Sequence, residues 1–165
     1  MDCCLQTLDK HYTMLGDMTV LNERIDTSLP VDAAFAFVAD FANAERWDPG
    51  VASSVRTDDG QLGVGATYRL GVRIAGRVAP MEYEIVHFEP GRRVVLTGSG
   101  RGVRAIDDIR FSPNPGGTRI DYTADIRLVG LLWLAGPFAG GALTRIGRAA
   151  RDGMEQALER QVANS

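Results

Sequence analysis

The chain ends in a stretch that decides how the rest can be arranged, LLWLAGPFAGGALTRIGRAARDGMEQALERQV at residues 131–162. Within it, small or apolar residues recur at steps of three and four, which is the spacing of one face of an α-helix. This face comprises Ala139, Leu143, Ile146, Ala150, Gly153, Ala157 and, as a polar last member, Gln161. Charged residues such as Arg148, Asp152 and Glu159 fill the other side. The pattern predicts a long helix with one side packed on a core.

Almost everything before this helix has the period of two that is typical of β-strands. The clearest strand alternates Ile120, Tyr122 and Ala124 with polar residues, which indicates an antiparallel strand buried on one face. In order, the chain predicts a strand at 18–29, a short helix after Pro30, a second at 41–47, about six further strands and the long helix. We expect one α+β domain, a curved antiparallel sheet of about seven strands around the C-terminal helix, with a pocket between them.

Composition limits the classes of protein that fit. At 165 residues, 45% hydrophobic and 24% charged, the chain can bury a core without disulfides or metal. A net charge of −3 argues against a protein that works by binding nucleic acid. The two cysteines, Cys3 and Cys4, are adjacent and so rarely reach disulfide geometry with each other. A reducing, cytoplasmic setting is therefore expected.

Two segments need separate consideration. Residues 1–17 lack both the apolar run of a signal peptide and a clear period, which predicts a poorly ordered extension before a single domain at 18–165. Residues 128–144 carry no charge, but the run is shorter than the roughly 20 residues of a spanning helix and is interrupted by glycines and Pro137. We expect no stable membrane insertion, with transient membrane contact as an open alternative.

Three further stretches carry a resemblance to a known family: SLPVDAAFAFVADFANAERWDPGV at 28–51, VHFEPGRRVVL at 86–96 and PGGTRIDYTADI at 115–126. In their order and spacing, and with the helical ending, residues 19–162 resemble the START-like superfamily, in particular its polyketide cyclase/dehydrase and lipid-transport group. The resemblance implies a helix-grip fold that encloses an elongated hydrophobic cavity. Members bind lipids, sterols, polyketides, hormones or quinones, and a few catalyse aromatic ring closure or dehydration. Fold alone does not choose among these activities.

The candidate ligand-binding residues are apolar or aromatic side chains, nine on the inner face of the sheet and one on the helix. They are Tyr68, Leu70, Val72, Met81, Tyr83, Ile85, Phe111, Tyr122, Ala124 and Leu143. Such a wall suits an apolar ligand oriented by a few hydroxyls. The alternative is that these residues pack on one another and leave no void. Helix glycines such as Gly147 and Gly153 indicate either close packing on the sheet or open volume.

Two polar residues share the inward phase and are the candidate catalytic groups. Asp107 lies in register with Ala105 and Ile109, and His87 lies in register with Tyr83. A buried carboxyl has a raised pKa and can act as acid or base, and a histidine can do so near neutrality. The alternative is that a bulge or a strand end leaves either residue in solvent. Trp47 is expected to be a structural plug at the edge of the cavity.

Other chemistries find no support in the sequence. Two histidines and two adjacent cysteines lack the spacing of a zinc site, and GSGRG at 98–102 is not a nucleotide-binding loop, so no metal or cofactor is implied.

Three hypotheses remain: a carrier or binding protein for a hydrophobic small molecule, a polyketide-type aromatase/cyclase or dehydratase, and an interaction module with a closed core. The first, non-enzymatic hypothesis is preferred, because ring chemistry would need more inward polar groups.

Overall fold

The computed structural model of the protein describes residues 18–74, 76–130 and 136–163, and in the last segment it describes side chains from Arg145 onward. The predicted N-terminal extension at 1–17 lies outside the described residues and stays a prediction. The elements follow in this order: β1 Met18–Thr27, α1 Val31–Ala39, a 3-10 helix Phe41–Asn43, α2 Ala44–Trp47, β2 Val51–Arg56, β3 Thr67–Ile74, β4 Arg77–Glu89, β5 Arg93–Gly100, β6 Val103–Asn114, β7 Gly117–Leu128 and α3 Gly136–Ala163.

The seven strands form one sheet in the order β1-β7-β6-β5-β4-β3-β2, and all neighbours are antiparallel. β1 and β2 therefore occupy opposite edges, and α1, the 3-10 helix and α2 carry the chain from one edge to the other. α3 packs against β1 and α2. This arrangement confirms the predicted α+β fold, a curved antiparallel sheet that grips a long C-terminal helix.

The connection between β1 and β2 is held by local chemistry. Pro30 precedes the first turn of α1, where its missing N–H costs nothing, and Asp32 lies in that turn. After α1, the Asp40 carboxylate accepts a hydrogen bond from the Ala42 N–H at 3.1 Å and starts the 3-10 helix. The single helix predicted at 41–47 is therefore a 3-10 turn followed by α2, which ends at the buried Trp47.

The buried face of α3 differs from the prediction. Ala150 and Ala157 are buried as expected, but Ile146 is 40% exposed. The largest buried side chains are instead Met154 and Leu158, which the predicted stripe omitted. The side chains of Ala139 and Leu143 lie outside the described residues. The buried positions still recur at steps of three and four residues, but they lie on a stripe that includes the C-terminal neighbours of the predicted positions.

A bulge in β4 changes which side chains face inward. The pairing with β5 shifts between Ile85 and His87, so that Ile85 lies opposite Leu96 whereas His87 lies opposite Val95. Past the bulge, the next residue, Phe88, packs against the core. An extra residue in one strand inverts the alternation beyond it.

Among the described residues, no helix combines the length and the apolar character that crossing a membrane requires.

Candidate functional site

A cavity of about 150 Å³ lies between the inner face of the sheet and α3. Its wall is mainly apolar and comes from every strand except β5, from α3 and from the 3-10 helix and α2, with contributions such as Leu21, Leu70, Met81, Ala105, Ala124 and Ala150. The cavity stays open because several of the facing residues are small. The presence of this space argues against an interaction module with a closed core.

Asp107 of β6 is the most deeply placed charged group of the cavity. It is 4% exposed, and its Oδ1 accepts a hydrogen bond from the hydroxyl of Tyr122 on β7 at 2.6 Å. Burial raises the pKa of Asp107, the hydrogen bond from Tyr122 opposes the rise and the nearby Asp48 carboxylate adds to it, so that the pKa is about 7. The carboxyl is therefore able to take up or release a proton near neutral pH.

A second carboxyl, Asp48, borders the same cavity at the end of α2. Burial raises its pKa, and the bond that its Oδ1 accepts from the Gly50 N–H at 2.7 Å partly offsets this. The repulsion between Asp48 and Asp107 disfavours ionisation of both groups in one low-dielectric space. The cavity therefore accommodates negative charge poorly.

Two tyrosines face the carboxyls. Burial raises the pKa of Tyr83 and of Tyr122 well above 10, and the charge of Asp107 adds to the rise in both. Both phenols therefore remain protonated donors at physiological pH. The position of Tyr83 depends on Gly98 of β5, because a Cβ at Gly98 would lie 2.5 Å from the Tyr83 ring. A glycine at this position gives the ring room on the inner face of the sheet.

Trp47 forms the wall beside these groups. Its side chain is 2% exposed, and its ring meets those of Phe41 and Tyr122 edge-on, with centroids 5.7 and 6.3 Å apart. Its Nε1 is buried with no hydrogen-bond partner among the described residues, as is Oδ2 of Asp107. Trp47 is therefore a wall of the cavity as well as part of the core.

The predicted ligand-binding residues divide into three groups. Those that line the cavity are Leu70, Val72, Met81, Tyr83, Tyr122 and Ala124. A second group belongs to the closed core and is absent from the lining: Tyr68, Ile85 and Phe111. The third is Leu143, whose side chain lies outside the described residues. The alternation placed the sheet residues on the correct face but did not indicate which part of that face borders open space.

His87 does not belong to the site. The bulge in β4 turns it to the outer face of the sheet, where its side chain is 40% exposed and its Nε2 lies 2.9 Å from the Glu89 carboxylate. Of the two candidate catalytic residues, the structure thus brings Asp107 to the cavity and leaves His87 outside it.

Sequence reasoning missed three charged residues that border the cavity: Glu23, Asp48 and Arg73. Glu23 shares the phase of Leu21 and Ile25 along β1, so the signal was present in the alternation. Asp48 lies in the turn after α2, where periodicity carries no information. Arg73 alternates with Val72 and Ile74, which predicts an outward side chain, and its guanidinium donates to the Pro49 carbonyl at 3.2 Å. No local pattern indicates that the turn after α2 approaches the end of β3.

The described residues contain no group of three or more histidine, cysteine, aspartate or glutamate side chains that could hold a metal ion.

Fold and cavity together define a helix-grip protein with an internal, mainly apolar cavity. The model of the family described as "Polyketide cyclase / dehydrase and lipid transport" matches residues 18–160, and the chain belongs to this family. None of the curated proteins compared with the chain matches it.

Three solved structures illustrate the relationship. The chain is similar to the Zhui aromatase/cyclase from Streptomyces sp. R1128, with a TM-score of 0.74 and 17% identity over 88% of this chain and 96% of that one. A START superfamily protein from Mycobacterium smegmatis matches with a TM-score of 0.63 and 17% identity, over 90% of this chain and 99% of that one. The di-domain ARO/CYC BexL from the BE-7585A biosynthetic pathway matches with a TM-score of 0.66 and 21% identity, over 87% of this chain and 50% of that one. At sequence identities this low, the similarity to these three structures shows the fold alone.

Proposed function

We propose that the protein binds or carries a hydrophobic small molecule in the cavity between the sheet and α3. The observation that carries this proposal is an apolar cavity of about 150 Å³ whose polar groups are concentrated around Asp107. Ligand sites of proteins commonly combine an apolar wall with a few placed polar groups. Membership of the family supports the proposal, because its description includes lipid transport.

The test fills the cavity without altering the outer surface. Ala124 lines the cavity on β7 and is 7% exposed, so Ala124→Trp places an indole in the binding space. The matched control is Ile106→Trp, because Ile106 is 42% exposed and lies on the outer face next to Asp107 in sequence.

Binding is measured by titration with a neutral apolar fluorophore, after mass spectrometry of an organic extract of the purified protein. Ala124→Trp should weaken binding at least about tenfold, and Ile106→Trp should leave it unchanged. Equal binding by Ala124→Trp and the original protein, at equal thermal stability, would contradict a ligand site in the cavity.

A second candidate function is a polyketide-type cyclase or dehydratase that acts in the same cavity. The specific observation in its favour is the Asp107–Tyr122 pair, a carboxyl with a pKa of about 7 in contact with a protonated phenol. The Asp107 carboxylate could take a proton from a CH₂ group between two carbonyls. The resulting enolate carbon would bond to a ketone carbon of the same molecule and close the ring, while a phenol such as Tyr83 hydrogen-bonds to the alkoxide and the proton held by Asp107 passes to that oxygen. The hydroxyl and the remaining hydrogen of the former CH₂ group would then leave as one water and form the C=C bond, and no oxidant is needed.

The two functions respond differently to Asp107→Asn. A cyclase would lose most of its turnover of a linear poly-β-ketone, on the order of a hundredfold or more, and would still bind the product. A carrier shows no turnover before or after the change. The control is His87→Ala, which should keep full turnover because His87 lies on the outer face. Full turnover by Asp107→Asn would exclude the carboxyl as the acid or base.

A further inference from the structure

Many of the basic residues of the chain lie at one end of the sheet. The strand pairing places the β3–β4 turn, the β5–β6 turn and the end of β7 at this end. α3 meets them there, because Gly147 lies against Leu21 near the start of β1, the strand that pairs with β7. The described stretches at this end are 73–74, 76–78, 100–104, 127–130 and 145–148.

The charged residues of these stretches are all of one sign. The stretches contain seven of the 18 lysine and arginine residues of the chain and none of its 21 acidic residues. The seven are Arg73, Arg77, Arg101, Arg104, Arg127, Arg145 and Arg148. In the sequence, residues 131–144 add no charge between β7 and Arg145. A chain with a net charge of −3 therefore has one positive end.

Most of these arginines lack the carboxylate partner that strand arginines have elsewhere. Arg24 pairs with Asp121, and Arg69 pairs with Glu82, each at 2.8 Å. At the positive end, the ion pair among the described residues is the one between Arg127 and Asp125 at 3.5 Å. The arginines that are exposed and have no carboxylate partner among the described residues are Arg73, Arg77, Arg101, Arg104, Arg145 and Arg148.

Two aliphatic side chains are exposed among these arginines. Val78 follows Arg77 and is 58% exposed, and Ile146 follows Arg145 and is 40% exposed. Ile146 also lines the cavity. We call the six unpaired arginines, together with Val78 and Ile146, the arginine end. It combines positive charge with apolar surface where the lining of the cavity reaches the outside of the fold.

This combination selects an anionic partner that also has an apolar phase. Several arginines without an internal counter-ion attract a bilayer that contains anionic lipids. Aliphatic side chains beside basic residues enter the boundary between the headgroups and the acyl chains. A nucleic acid offers phosphate charge but no apolar phase, so it would leave Val78 and Ile146 in water. The arginine end therefore fits a lipid surface better than a soluble polyanion.

We propose that the arginine end docks on the surface of a bilayer that contains anionic lipids. The guanidinium groups lie among the lipid headgroups, and Val78 and Ile146 contact the upper part of the acyl chains. Docking brings the lining of the cavity to the bilayer. This inference goes beyond the proposed function, because the surface can dock whether or not the cavity binds a ligand.

The test is vesicle flotation at about 0.1 M salt, where attraction between exposed charges is limited to roughly 10 Å. Vesicles of phosphatidylcholine alone are compared with vesicles of equal parts phosphatidylcholine and phosphatidylglycerol. The original protein should bind the anionic vesicles at least about tenfold more tightly. The double variant Arg77→Gln/Arg101→Gln should weaken this binding about tenfold, because each arginine close to an anionic surface contributes up to roughly fivefold.

The matched control is the double variant Arg92→Gln/Arg110→Gln, which loses the same charge at the opposite end of the sheet. The eight residues of β5 separate the two ends by about 25 Å. Asp108 keeps its ion pair with Arg93 in this variant, so the fold is retained. The control should change vesicle binding by less than about twofold, because its charges lie beyond the screening length.

Other outcomes would overturn the inference. Equal binding to neutral and anionic vesicles would remove the anionic lipid as the partner. Equal losses in the two double variants, at equal thermal stability, would mean that net charge acts rather than the arginine end. Tighter binding to a DNA duplex or to heparin than to the vesicles would assign the surface to a soluble polyanion. Failure to bind anionic vesicles, with uptake of the apolar fluorophore retained, would refute docking and leave the proposed function intact.

Discussion

The two ends of the inner face of the sheet are built by the same strands but differ in how densely they are packed. At the end beneath α1, the space is filled: Phe35 packs edge-on against Phe88 and Phe111, with ring centroids 5.3 and 5.1 Å apart. At the end beneath α3, the cavity remains open. β7 contributes Ile120 to the filled end and Ile126 to the open end, on one face and with one alternation.

This difference teaches that the opposing surface decides where a pocket forms. α1 presents large aromatic side chains to the sheet, whereas α3 borders the cavity with Gly147, Ala150 and the exposed side chain of Ile146. Ala105 and Ala124 in the strands add to the open volume. The alternation of apolar residues along the strands is necessary for the cavity, but this alternation is the same at the filled end and at the open end.

The largest expected effect on stability distinguishes an isoleucine at the filled end from an isoleucine at the open end. Ile120→Ala should lower the free energy of unfolding by about 2–5 kcal/mol, because it opens a void in a filled core. Ile126→Ala should cost roughly 1 kcal/mol, because its side chain already borders open space. Urea denaturation of the two variants measures the difference. Equal losses would show that the two ends are equally packed.

The next effect concerns charge at the open end. The pKa of Asp107 is raised from 3.8 to about 7, so between these values the folded protein binds more protons than the unfolded chain. The contribution of this group to stability is therefore fully present at low pH and is lost as the pH rises to about 7. Asp107→Asn removes this loss and should stabilise the protein at pH 8 by at most about 4 kcal/mol.

Urea denaturation at pH 4.5 and pH 8 measures this effect, as the difference between the variant and the original protein. The gain should be small at pH 4.5 and large at pH 8. Asp48, Tyr83 and Tyr122 face the same carboxyl from other elements and remain unaltered in the variant. A gain of the same size at both pH values would mean that burial does not raise the pKa of Asp107.

A smaller effect on stability separates Gly153 from Gly147, two of the glycines of α3. A Cβ at Gly153 would overlap the Trp47 carbonyl oxygen and lie 2.8 Å from the Pro49 ring. We expect Gly153→Ala to cost about 1–3 kcal/mol through overpacking, offset in part by a gain of roughly 1 kcal/mol in helix propensity.

Gly147→Ala is the matched control. Its Cβ would lie 3.0 Å from a terminal methyl of Leu21, which can rotate away, so the propensity gain should leave this variant unchanged or up to about 1 kcal/mol more stable. Thermal denaturation compares the two variants, and equal melting temperatures would show that α3 moves freely over the turn after α2.

The smallest effect is expected outside both ends. His87→Ala removes an exposed contact with the Glu89 carboxylate and should change the free energy of unfolding by no more than about 0.5 kcal/mol. Ligand affinity should also stay the same. A loss of affinity comparable to that of Ala124→Trp would mean that the outer face of β4 takes part in binding.

Much of the fold was predictable from the sequence because it depends on local periods. The alternation of β6 and β7 predicted their inner faces correctly, including Asp107 in line with Ala105 and Ile109. His87 could not be placed in this way. Beyond the bulge, Phe88 faces inward and packs against Phe35, a partner that lies more than fifty residues earlier in the chain.

The candidate site was less predictable than the fold. Tyr68, Ile85 and Phe111 have the same inward phase as the cavity residues, but large side chains fill the space in front of them. Asp48 reaches the site from a turn, where periodicity carries no information. Helix glycines suggested either close packing or open volume; the structure shows close packing at Gly153, whereas Gly147 approaches Leu21 and also borders the cavity.

The sequence by itself determined the order of the elements, the antiparallel sheet, the long final helix and the family, because each depends on patterns within a few neighbouring residues. Only the tertiary structure decided where the sheet stays uncovered and which polar groups meet there. The pairing of Asp107 with Tyr122, the neighbouring Trp47 and the raised pKa of Asp107 depend on burial between elements distant in the chain. Burial of a charge is a property of the assembled fold, so no local pattern could supply it.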